Sequence, residues 1–232
     1  MVFQDFTEVR ESQGQKDYSL PPIGEYPCVM LVEAFQKDSA GNYMKGANNK
    51  PAPIKTTAGD DMWKLNLKIL DTKHLGKQIL DNVSFGEKAK KRTAVIFTRA
   101  GIMPSDKECE ANPKLYAERN RDFQPDELDE TYWFVSMHHE LAENKDGVRV
   151  GKYDFKANGC PCEVCTSANG KKVMVNAKVD YAGYRLADLK TEAPKLRKAW
   201  LAMEAAEEQK ASPAGDDDDI PSPTDDNSDI PF

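Results

Sequence analysis

The chain reads as a mainly β protein of the α+β class: a small five-stranded barrel with one helix between its third and fourth strands. Three observations point there. Three runs rich in β-formers come first; the apolar spacing then turns helical; β-rich runs resume after a charged insertion. Within the clearest run, apolar and polar residues alternate, as a strand with one buried and one solvated face requires.

The elements follow in order. Residues 1–24 are a polar N-terminal extension ending in the turn "PPIG". The body of the fold spans residues 25–185. "EYPCVMLVEAF" (25–35) is the first strand, and a loop dense in Gly, Pro, Asn and Ser follows it over 37–60. In "DMWKLNLKILD" (61–71), Trp63, Leu65, Leu67 and Ile69 point to the core while Lys64, Asn66 and Lys68 point away. "KQILDNVSF" (77–85) is its hairpin partner across "TKHLG". Ser84 can then cap a helix whose stripe is Ala89, Ala94, Ile96, Phe97 and Ala100. Residues 104–130 form a charged insertion broken by Pro104, Pro113 and Pro125. Strands resume at 131–141, 148–157 and 171–181, with a Cys-rich turn over 158–168. A helix within 186–210 has Pro194 in its first turn and turns Leu196, Ala199, Trp200 and Met203 to one face. Residues 211–232 have the composition of a disordered acidic tail.

Five strands with a helix between the third and fourth is the plan of the OB barrel. That fold binds oligonucleotides on its strand 2–3 face and with its loops 1–2 and 4–5.

The charge is divided along the chain. The formal net charge is −7, and the residues from Ala211 onward hold seven aspartates and no Lys or Arg. The remaining 32 acids balance 32 Lys and Arg, so the body is neutral and the acidity belongs to the tail. An acidic pI therefore does not argue against a nucleic-acid partner here. No run of eighteen apolar residues is present, and the start "MVFQDFTEVR" lacks the basic and apolar regions of a signal peptide. Five cysteines with no export signal point to a reducing cytoplasm.

The tail ends in "DDDDIPSPTDDNSDIPF". Its tip resembles the C-terminus of bacterial and phage single-stranded DNA-binding proteins, whose acidic tails finish in Asp-Ile-Pro-Phe. The likeness covers about twenty residues and is specific at Asp229, Ile230, Pro231 and Phe232. More loosely, "IGEYPCVMLVEAF" (23–35) with "MWKLNLKILDTKHLGKQILDNVSF" (62–85) looks like small phage proteins encoded near recombination genes. The resemblance implies a protein that coats single-stranded DNA in replication, recombination or repair. It also implies recruitment of partner proteins through the tip, with homo-oligomerisation left open. Physically, Phe232 and Ile230 would fill an apolar pocket, Pro231 would limit the entropy lost on ordering, and the aspartates would steer the encounter. The same acids would compete with DNA for the protein's own cationic groove.

Single-stranded DNA needs aromatic faces and a cationic path. The loop from Ser39 to Ala58 carries Tyr43, Lys45, Lys50 and Lys55 with no acid, and it sits where an OB barrel has loop 1–2. Lys64 and Lys68 continue that path on the second strand. The 4–5 region offers Arg149, Lys152, Tyr153 and Phe155, and the fourth strand offers Tyr132 and Phe134 on one face against Trp133 on the other. Which of those two faces is core is open at this point. The run Lys88, Lys90, Lys91 and Arg92 reads as a solvated helix face.

"GCPCEVC" places Cys160, Cys162 and Cys165 within six residues, a spacing that suits zinc. A fourth ligand is open among Cys28, Cys109, His74, His138 and His139. A rival reading uses the same segment. His138-x-Glu140 followed by Pro161-Cys162-x-x-Cys165 matches the signature of zinc-dependent nucleobase deaminases. Against it, His138 lies in a β-rich run, and the residues after Cys165 lead through Gly into a strand rather than along a helix. No other catalytic pattern stands out, and the expectation is a binding protein rather than an enzyme.

Overall fold

The computed structural model describes residues 20–144 and 147–211. The tail motif Asp229–Phe232 therefore lies outside the described residues. One antiparallel sheet dominates, with strands β1 (Gly24–Glu33), β2 (Met62–Ile69), β3 (Gln78–Ser84), β4 (Thr131–Leu141) and β7 (Val175–Leu186) in the order β3-β2-β1-β4-β7. The outer strands β3 and β7 approach each other, so the sheet curls into a nearly closed barrel of the OB type. A two-residue hairpin, β5 (Glu143–Asn144) with β6 (Gly147–Val148), stands outside it.

Helix α1 (Lys90–Arg99) lies along the open seam and carries a charged residue to each side of it. Arg92 pairs with Asp81 of β3, and the Tyr184 hydroxyl of β7 donates to the other Asp81 oxygen at 2.6 Å. At the far end of α1, Arg99 donates to the carbonyls of Ala182 at 2.8 Å and of Tyr184. A buried carboxylate is tolerable only with such partners. Burial and the Asp81 charge together push the Tyr184 hydroxyl well above the ordinary tyrosine pKa. The register of β4 against β7 slips between Val135 and Met137. Gly183 makes that slip feasible, because a Cβ there would lie 2.9 Å from the Ser136 Cβ.

The inward faces fill the barrel with Cys28, Met30, Trp63, Leu65, Leu67, Ile69, Ile79, Val83, Ile96, Phe97, Trp133, Val135 and Tyr184. The expected inward face of β2 is therefore found. On β4 the core residue is Trp133, fully buried and edge-on to Tyr184 with ring centres 5.7 Å apart. A second apolar cluster lies outside the barrel, where α4 (Ala193–Ala211) sets Trp200 and Met203 on Val29 and Leu70 beside Leu31 and Tyr132. The helix face Leu196, Ala199, Trp200 and Met203 is the one the sequence marks.

Two elements differ from expectation. Residues 148–157 do not form a barrel strand; beyond β6 they hold one bridge, Val150 to Val173. Their alternation is real, but β4 has room for one partner on that side. The run 175–186 takes it, because it brings Val179 and Tyr184 to the core. Ser84 does not cap α1 either. Its carbonyl accepts from the Thr93 hydroxyl at 2.9 Å, and a 3-10 turn over Glu87–Ala89 leads into the helix. The insertion at 104–130 holds α2 (Asp106–Ala111), started by a capping box of Ser105 with Glu108, and two 3-10 turns. Among the described residues, no helix is long and apolar enough to cross a membrane.

Candidate functional site

Two long loops carry most of the basic and aromatic residues named above. They root at opposite ends of β1. Glu33 at its end pairs with Lys64, whereas Gly24 at its start pairs with Met137, next to the root of the second loop.

The first arm runs from Ala34 to Asp61 and is folded on itself. Met44 N–H donates to Gln36 O, Gln36 N–H to Ala52 O and Ala52 N–H to Met44 O, each at 2.8 Å. Asn48 and Asn49 turn the tip in the left-handed region, which asparagine tolerates better than most residues. Ile54 is buried at the root and accepts from Met62 N–H at 2.9 Å. On this frame Tyr43 is 57% exposed, edge-on to Phe35, with Lys37 5.4 Å from its ring. Lys45 and Lys50 are exposed and make no ion pair with a described residue. Lys55 is engaged by Asp61 Oδ1 at 2.7 Å and the Gly59 carbonyl, and Lys64 leans to Glu33 at 3.5 Å. A cleft of about 360 Å³ lies beside the root, lined in part by Glu33, Asp126 and Asp129. Those carboxylates repel phosphate, so the cationic part of this arm is its outer surface.

The second arm runs from Ala142 to Met174. Tyr153 is 44% exposed with Lys152 5.4 Å from its ring, and Phe155 lies two residues on. Arg149 anchors the base through its backbone, donating to Ala142 O at 2.7 Å and accepting from Met174 N–H at 3.1 Å. Phe155 N–H donates to Lys171 O and Gly170 N–H to Phe155 O, which brings Lys171 and Lys172 alongside. By sequence those two lysines open a strand, and they are not among the expected contacts.

Three expected contacts lie under other groups. Lys68 is only 14% exposed, held by Glu207 at 3.2 Å and seated 5.0 Å from the Trp200 ring of α4. Tyr132 packs in the apolar cluster beneath the same helix. Phe134 is capped by the Arg185 guanidinium, 4.0 Å from its ring centre. With α4 seated, Lys68 and Tyr132 are partly covered.

The cysteines meet at the base of the second arm. Asn158 and Gly159, both at positive φ, turn the chain so that Cys160 N–H bonds Ala157 O at 2.9 Å. Cys162 then caps α3 (Glu163–Ala168), its Sγ accepting from Cys165 N–H at 3.3 Å. A Cys-x-x-Cys pair across a helix start brings both sulfurs to one side, and Cys160 joins them at 3.5 Å from Cys162 Sγ. The fourth member is His139 of β4. Its Nδ1 lies 3.5 Å from Cys160 Sγ, 3.3 Å from Cys162 Sγ and 3.0 Å from Cys165 Sγ. All four donor atoms lie within 4.8 Å of one another. A tetrahedral zinc with ordinary Zn–S and Zn–N bonds separates its ligand atoms by about 3.5–3.8 Å.

His139 is prepared for that role. Its Nε2 lies 2.9 Å from the Pro21 carbonyl, which can only accept, so Nε2 carries the hydrogen and Nδ1 turns its lone pair to the sulfurs. Burial, against the Pro21 hydrogen bond, holds the imidazole pKa below its usual value and keeps the ring neutral. Burial opposes ionisation of Cys162, but the hydrogen bonds from Cys165 N–H, the neighbouring thiols and Val164 outweigh it and lower its pKa. Burial pushes the Cys165 thiol up. The four groups together could hold a metal ion such as zinc. His138, by contrast, is exposed on the opposite face of β4, and Glu140 pairs with Lys178 at 2.6 Å. His139 is one of five residues the sequence offers as fourth ligand. The signal that selects it is the alternation Trp133, Val135, Met137, His139, which continues the inward face of the strand.

Fold and site together define a class: an OB-type barrel with two basic arms and a buried three-cysteine, one-histidine cluster. No family model matches the chain, and no curated protein matches it.

Proposed function

We propose that the protein binds single-stranded DNA, coats it during replication, recombination or repair, and recruits partner proteins through its Asp229–Phe232 tip. The observation that carries this reading is the first arm: an acid-free stretch, Ser39 to Ala58, presenting exposed Tyr43 with Lys45 and Lys50 unneutralised by any described acid. Stacking on an aromatic ring and neutralisation of phosphate are the two terms that single-strand binding needs. The second arm repeats the pairing with Tyr153 and Lys152. We infer that zinc is the ion taken by His139, Cys160, Cys162 and Cys165, because three thiolates and one imidazole are the donor set of structural zinc sites.

The geometry supports a deaminase less well. That chemistry needs His138 beside the thiols and an open position for water, whereas here the cluster is built with His139 and offers four protein donors.

The test is a salt-titrated binding assay with single- and double-stranded oligonucleotides, on the full chain and on a chain lacking residues 211–232. The expected result is single-strand binding that weakens steeply with salt and tightens when the tail is removed, while partner recruitment is lost. A tailless protein that leaves oligo-dT unbound at low salt would falsify the reading.

A further inference from the structure

We propose that the metal cluster is a clamp for the second arm and not a nucleus for the barrel, so that DNA contact through Arg149, Lys152 and Tyr153 is metal-dependent while the fold is not. The DNA half of this inference rests on the function proposed above; the clamp half stands on geometry alone.

The barrel has its own continuous core and closes its seam through Asp81, Arg92 and Tyr184, none of which touches the cluster. The arm is different. Between residues 147 and 174 the fully buried side chains are Cys165 and Ala168. A segment of that length with so little apolar burial does not offset the entropy of ordering itself, and small units of this kind rely on staples such as a structural metal. The cluster is placed to be one. Cys160, Cys162 and Cys165 belong to the arm, His139 belongs to β4, and the other nitrogen of His139 holds Pro21 of the N-terminal segment. One ion would tie the arm to β4, and the hydrogen bond of His139 to Pro21 links that joint to the N-terminal segment.

The arm is also worth ordering. Residues 147–174 hold five basic and two acidic side chains, and Tyr153 and Val150 are exposed on it. Without the clamp these groups would still be tethered, but binding DNA would have to order the arm first, which lowers affinity.

The experiment uses the full-length chain. Metal content is measured after purification without chelator, and the protein is then stripped and reloaded with cobalt(II). The expected result is one metal per chain and the intense absorption of tetrahedral cobalt bound to thiolates, lost in Cys165→Ser. Stripping should speed tryptic cleavage after Arg149, Lys152, Lys156, Lys171 and Lys172 by at least about tenfold, at low protease where cleavage follows the open population. The near-ultraviolet signal of the buried Trp63, Trp133 and Trp200 should stay, which separates arm release from global unfolding. Oligo-dT affinity should fall several-fold on stripping and return with zinc. No thiolate–cobalt band would overturn the clamp, and so would cleavage rates indifferent to metal or loss of the near-ultraviolet tryptophan signal on stripping. A normal band and metal-protected arm in a protein that never binds oligo-dT would leave the clamp intact and sink the DNA function instead.

Discussion

The two arms have similar composition and differ in what holds them together. The first, Ala34 to Asp61, is held by its own backbone: nested hydrogen bonds at 2.8 Å, a left-handed Asn-Asn tip and a buried Ile54 at the root. The second, Ala142 to Met174, also bonds across its base, Ala142 N–H to Met174 O and Phe155 N–H to Lys171 O among others, but its buried side chains gather in and beside a feature the first arm lacks: four groups that could hold a metal ion. A loop can be made rigid by satisfying its backbone locally or by gathering donors for an ion. The first way is insensitive to chelators and redox conditions; the second is tied to both.

Substitutions can take the two constructions apart. The largest effect is expected at Ile54. Removing its buried side chain in Ile54→Ala should cost about 2–5 kcal/mol in a denaturant titration and loosen the first arm. The cobalt spectrum of the second arm should not change; if it does, the arms are coupled and the comparison fails.

Next is Tyr184→Phe. This leaves Asp81 with Arg92 but without its hydroxyl donor, and the expected cost is about 1–3 kcal/mol, borne by the barrel and by neither arm in particular. The same tyrosine sets an alkaline limit. Its folded pKa is raised above the usual 10.0, first by burial and then by Asp81. The unfolded chain therefore loses that proton first. Stability from this source is complete below about pH 10 and declines as pH rises beyond it. Denaturation midpoints across that range should fall for the natural chain and fall less for Tyr184→Phe.

The smallest effect is at Lys45→Glu with Lys50→Glu. Folding stability should move by less than about 0.5 kcal/mol, since both residues are exposed. The slope of log affinity against log salt should shrink by about 0.7 for each phosphate no longer neutralised. An unchanged slope would take the first arm out of the DNA path and leave the second to carry it.

Much of this is legible in the residues. The alternation from Trp63 to Ile69 reads directly as one buried face, and the Leu196–Met203 stripe reads as a docking face. Other features are not. Tyr132, Trp133 and Phe134 are equally apolar neighbours, and only the longer alternation of Val135 and Met137 against Ser136 and His138 favours one side of β4. Residues 148–157 alternate as well as any strand, but pairing depends on which segment reaches β4 first with apolar side chains to bury. Lys68 looks solvated along β2 and is instead covered by a helix more than a hundred residues later. Arg92 belongs to a run that reads as a solvated helix face, yet it turns inward to Asp81.

By itself, the order of residues determined the local things: the element sequence of an OB barrel, the division between a neutral body and an acidic tail, and three cysteines close enough to share an ion. These depend on spacing and composition within short windows, where backbone geometry leaves few options. Only the tertiary structure decided that His139 completes the cluster, that Pro21 orients it, and that α4 covers Lys68 and Tyr132. Each of those joins groups far apart along the chain, and they meet only once the barrel has brought its strands together.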